Sequence, residues 1–223
     1  MGHSENICLA NHVPNIMKKG KLMGKFAQKI EKLIADTENW DDLADCLQGI
    51  NQRQINQLIP YIPRLLKHKE MVIRCDCLNI IADYKLERFY DAIYAAFNDI
   101  DTIVRVHAVS NLLVINSEPV DILKKQLEKE DYCSDRRNYV NICAELYLLT
   151  KEKQYIRKIK KEIKYEFNSD LYYIVLHSFE YEEGIANDSA ITGVFKLIKE
   201  NSNPEDGCHK DAVRLFDEID QMK

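Results

Sequence analysis

Apolar residues recur along most of this chain at the three- and four-residue spacing of one helical face. Phe26, Ile30, Leu33 and Ile34 mark one helix and Leu43, Cys46, Leu47 and Ile50 its partner, joined by a linker from Asp36 to Asp42. Further on, Ile59 to Leu66 followed by Val72 to Ala82 is matched by Ile93 to Phe97 followed by Ile103 to Leu113. Arg74, Arg105 and Arg136 stand 31 residues apart, and the same shift carries Leu78 to Val109 to Val140 and Ile81 to Leu112 to Cys143. Three units therefore share one frame over residues 54–150. Beyond them, helices are expected over 152–166 and 169–181, then over 188–200 and 206–221, each with apolar residues on one face. Such pairs hide their apolar faces only against neighbouring pairs, so residues 21–223 are expected to form a single domain. Residues 1–20 lack the periodicity and read as a flexible tail.

A first helix, a short acidic loop and a hydrophobic-Arg pair opening a second helix rich in Ala and Leu resembles the HEAT repeat of the ARM-like α-solenoids. The unit from Asn98 through Asp99, Ile100, Asp101, Thr102, Ile103, Val104, Arg105, Val106 and His107 to Ala108 carries that resemblance best. It implies an all-α fold, a right-handed α-α superhelix of about six HEAT-like antiparallel helix pairs whose second helices line the concave side. It also implies that the repeated Arg is structural and pairs with loop carboxylates, for which Asp99, Asp101 and Asp135 are placed. The competing reading of the same arginines is a phosphate-binding stripe.

Composition agrees with helices. The 223 residues include only 7 Gly and 5 Pro, few breakers for that length. Hydrophobic residues make up 46% and charged residues 30%, the balance of a globular chain. No run approaches the ~18 apolar residues of a membrane-spanning helix. The N-terminal stretch Ile7 to Val13 is too short and polar for a signal-peptide core, and Lys18, Lys19 and Lys21 follow it. Seven scattered Cys, an odd number, read as reduced thiols and place the chain in the cytoplasm.

Sites for chemistry fail specific tests. No His is followed by Glu, the pairing by which some HEAT-like hydroxylases bind iron. Cys75 and Cys77 sit two apart, so on a helix they diverge and cannot grip one ion. No phosphate loop, dinucleotide fingerprint or nucleophile elbow occurs. The expectation is a non-enzymatic chain with no cofactor and no metal.

Charge and tyrosine point to a partner. Residues 151–166 hold seven basic against three acidic side chains, and residues 178–223 eleven acidic against five basic. Asp36, Glu38, Asp41, Asp42 and Asp45 form a further acidic block that could steer a basic partner. Eight of twelve tyrosines fall between Tyr132 and Tyr181. On the resemblance, Arg105, Arg136, Arg137, Tyr139, Tyr172 and Tyr173 would line the concave face as partner contacts. The reading is a protein-binding module, for example an immunity protein that neutralises a nuclease toxin. A HEAT-like alkylpurine DNA glycosylase and a structural adaptor subunit are the alternatives, and a net charge of -5 argues against nucleic acid as the partner.

Overall fold

A computed structural model describes residues 24–36, 38–165, 168–180 and 185–221. The tail assigned to residues 1–20, with Cys8, and Glu166 and Tyr181 lie outside the described residues. Among the described residues every regular element is helical. In chain order these are α1 (Lys25–Ala35), α2 (Trp40–Gln48), α3 (Gln52–Leu58), α4 (Ile62–Leu65), α5 (Met71–Asp83), α6 (Tyr90–Ala96) and α7 (Thr102–Ile115). They continue with α8 (Val120–Glu130), α9 (Arg137–Thr150), α10 (Lys153–Tyr165), α11 (Ser169–Glu180), α12 (Ser189–Asn201) and α13 (Gly207–Gln221). Short 3₁₀ turns join some of them.

Two local choices depart from the periodic pattern. Pro60 and Pro63 deny the helix two backbone donors, and the segment before α5 becomes α3, a 3₁₀ turn at Ile59–Tyr61 and α4. The linker expected from Asp36 to Asp42 is shorter than that: α2 begins at Trp40, so Asp41, Asp42 and Asp45 belong to a helix. Asp36 closes the turn by accepting from the backbone N–H of Glu38 and Asn39 and from the Asn39 amide.

The helices pack as two layers. The second helices touch in chain order, α2 on α5, α5 on α7, α7 on α9, α9 on α11 and α11 on α13. The first helices lie against them, α4 on α5, α6 on α7, α8 and α10 on α9, and α12 on α13, with α10 also on α12. One apolar core runs between the layers from Ala27 to Leu215. Leu78, Val109, Val140, Ile81, Leu112 and Cys143, the positions tied by the 31-residue frame, are all buried in it. Each such side chain contributes about 1.5–3 kcal/mol by leaving water. Burial pushes the thiols of Cys75, Cys77 and Cys143 up to about 12, which leaves them as protonated core residues.

The repeated arginines set how one unit meets the next. In Arg74, Arg105 and Arg136 the Nη1 atom donates to the two backbone carbonyls six and five residues earlier: His68 and Lys69, Asp99 and Ile100, Glu130 and Asp131. The rest of each guanidinium crosses to a carboxylate of the following unit. Arg74 forks onto Asp99 at 2.9 and 2.8 Å and also pairs with Asp101. Arg105 Nε donates to Glu130 at 2.8 Å, and Arg136 donates twice to Glu162 at 3.3 Å. Thus Arg105 and Arg136 tie their own loops to the next first helix, and Arg74 ties its loop to the loop between α6 and α7. These are structural contacts, and they leave no phosphate-binding stripe.

Glu130 is 1% exposed and is also held by the amides of Gln126 and Asn138. Removing Arg105 strands that buried carboxylate. Arg105→Met is therefore expected to lower stability by about 3–5 kcal/mol in urea denaturation, whereas Arg64→Ala, which breaks the exposed pair with Glu31, costs less than about 1 kcal/mol.

Candidate functional site

On the second-helix layer a trough of about 570 Å³ runs across α7, α9 and α11. One face of α7 supplies Ile103, Val106, His107 and Ser110, and one face of α9 supplies Asn141, Glu145 and Leu148. α11 closes it with Tyr173, Ile174, His177 and Ser178. The spacing on each helix is three or four residues, so the lining follows from helix geometry alone. A smaller hollow of about 130 Å³ between α11 and α13 shares Tyr173 and His177 and carries the trough onward to Asp211 and Arg214.

Apolar walls enclose a few fixed polar groups. The His107 Nδ1 lies 3.1 Å from Asn79 Oδ1, which also accepts from the Asn111 amide at 3.0 Å. Burial lowers the His107 pKa, so its ring is neutral at pH 7. Ser178 Oγ donates to Asn141 Oδ1 at 3.2 Å, and Asn141 Nδ2 is buried with no partner among the described residues. Tyr173 and His177 stack edge to face with ring centres 4.2 Å apart. Glu180 joins His177 at 3.0 Å to Arg214 at 2.7 Å across α11 and α13. Among the described residues no group of three or more His, Cys, Asp or Glu is placed to hold a metal ion.

The expected contact residues separate. Tyr173 lines the trough and is 50% exposed. Tyr139 and Tyr172, expected as contacts, are core residues at 3% and 0% exposure. Tyr172 donates its hydroxyl to the Ile163 carbonyl, while the Tyr139 ring sits 3.7 Å beneath the Arg136 guanidinium and its hydroxyl accepts from Lys158. Arg105 is buried on Glu130 and Thr102. These three offer no surface to a partner, because their side chains are buried on neighbouring groups. Arg136 and Arg137 instead line a separate cleft of about 620 Å³ at the loop edge, between the start of α9 and the junction of α10 with α11. There Arg137 pairs with Asp135 and Asp170. Burial would raise the Asp135 carboxyl, but the bonds from Arg137 outweigh it and bring it down to about 2. Glu38, Asp41, Asp42 and Asp45 are exposed at the α2 end of the molecule, away from the trough lining. Asp36 is half-buried and occupied by its own turn.

His107, Asn141, Glu145 and Ser178 escaped the sequence reading. A signal existed: Asn79, Ser110 and Asn141 repeat at 31 residues as polar positions inside apolar second helices. No family model matches the chain, and no similar curated protein or solved structure is found.

Because the folded His107 takes up a proton less readily than the unfolded one, the unfolded state binds more protons below pH ~6.5 and stability falls as pH drops through that value. His107→Gln is expected to flatten the loss of melting temperature between about pH 7 and pH 5 relative to the parent protein. An unchanged profile would mean that His107 titrates normally.

Proposed function

We propose that the chain is a non-enzymatic binding module of HEAT-like, right-handed α-α superhelical form that holds a basic protein in the trough of its second-helix layer. The observation that carries this reading is the sorting of charge between layers. Helices α2, α5, α7, α9, α11 and α13 together contain twelve acidic and five basic side chains, a net of -7. Of those five, Arg74 and Arg105 are buried on carboxylates. The second-helix layer as a whole thus carries negative charge beside an apolar recess, and net negative charge speeds and selects encounter with a positive surface. Apolar area from Ile103, Val106, Leu148, Ile174 and Tyr173 supplies the affinity, and Glu145 supplies a charged contact at the floor.

A protein of the immunity type, which blocks a basic nuclease toxin with carboxylates, fits this surface. The glycosylase reading loses support, since its DNA-gripping face is basic where this one is acidic.

Tyr173→Lys changes a half-exposed side chain at the trough and reverses its local character without touching the core. Tagged parent protein retained in its native cells is expected to co-purify with one stoichiometric basic protein, and Tyr173→Lys is expected to weaken that complex at least tenfold in a titration of the purified pair. Equal affinity of the two forms would remove the trough from the interface.

A further inference from the structure

The opposite layer has the opposite charge. Helices α1, α3, α4, α6, α8, α10 and α12 carry sixteen basic and seven acidic side chains, a net of +9. The chain's net of -5 conceals this face. Its densest part is α10, with six basic residues and one acidic.

On α10 the residues Tyr155, Ile156, Ile159 and Ile163 are buried, while Lys153, Arg157, Lys161 and Lys164 are exposed. Those four stand at i, i+4, i+8 and i+11, a single stripe about 17 Å long. None of them forms an ion pair or hydrogen bond with another described residue. Among the described residues of and just before α10, Glu162 is taken by Arg136, and Glu152 by Lys124 and Gln154. The stripe thus presents uncompensated positive charge.

At its end the helix exposes Tyr165, 85% accessible, on the rim of the 620 Å³ cleft. That cleft is lined by Arg137, whose guanidinium already pairs with Asp135 and Asp170, and by Asn168, whose Oδ1 accepts from the Leu171 N–H, so a base edge would enter by exchanging for these bonds. Its carboxylates would repel phosphate, yet they suit the mixed edge of a nucleobase. We propose that α10 and this cleft bind single-stranded nucleic acid, with phosphates along the four cations and a base stacked on Tyr165 facing the cleft. A duplex keeps its bases inside, out of reach of Tyr165. An acidic protein would use the cations but has no need of an exposed aromatic face beside a polar recess. This inference is independent of the trough and its partner.

Fluorescence anisotropy of labelled dodecamers of deoxythymidine and of uridine, with a hairpin duplex alongside, tests it. The single strands are expected to bind, with log affinity falling against log salt at a slope of about -3, the value for four phosphate contacts on a single strand. The fourfold variant K153E/R157E/K161E/K164E should abolish binding, and Tyr165→Ala should weaken it roughly tenfold. The matched variant K25E/K29E/K32E on α1, also exposed, should leave affinity unchanged. Circular dichroism and urea midpoints of all three variants confirm that each remains folded. No binding at 50 mM salt, equal loss in the α1 variant, no effect of Tyr165→Ala, or duplex bound as tightly as single strand would each overturn the proposal, as would polyglutamate competing as well as the oligonucleotide.

Discussion

Three arginines, spaced 31 residues apart, hold the middle of this molecule in register. Each spends one nitrogen on the carbonyls that open its own loop and the others on a carboxylate 25 or 26 residues ahead, in the next unit. Apolar packing alone does not provide this, since Leu, Ile and Val on helical faces tolerate sliding and repacking at modest cost. A forked guanidinium does not: moved by a helical turn, it loses both the carbonyls and the carboxylate. Arg105 and Glu130 are the most deeply buried of these pairs, and there the penalty for mispairing is largest.

What the ladder fixes determines what the surface can do. By tethering each loop at the start of a second helix, it settles which face of α5, α7 and α9 turns inward and which remains outside. On α10, Glu162 turns to Arg136, while Lys153, Arg157, Lys161 and Lys164 stand on the exposed face. Structural pairing thus occupies one side of the helix and the cationic stripe the other. The acidic second-helix face arises similarly, because two of its arginines are consumed inside.

Much of the fold was legible because hydrophobic period and repeat frame are local properties. The boundaries of α5 and α7 fall within a few residues of the expected ones, and all six apolar frame positions are buried. The functional surface was less legible. Tyr139 and Tyr172 looked like contacts because tyrosine favours interfaces, yet their hydroxyls found partners at Lys158 and the Ile163 carbonyl, and the rings went inward. Asp99 and Asp101 were foreseen as partners of an arginine, but it is Arg74 of the preceding unit that takes them, and the partners of Arg105 and Arg136 on α8 and α10 lie too far along the chain for spacing to reveal. Charge blocks along the sequence likewise concealed the sorting by layer, which exists only once alternate helices are brought side by side.

The central claim is that these cross-unit pairs couple one helical unit to the next. A double-mutant cycle over Arg105→Met and Glu130→Met, read by urea denaturation, measures that coupling directly. The account predicts that each single change is severe and that the double variant is far milder than their sum, giving a coupling of at least about 2 kcal/mol. Additive effects, with a coupling under about 0.5 kcal/mol, would contradict it and return the register to apolar packing alone.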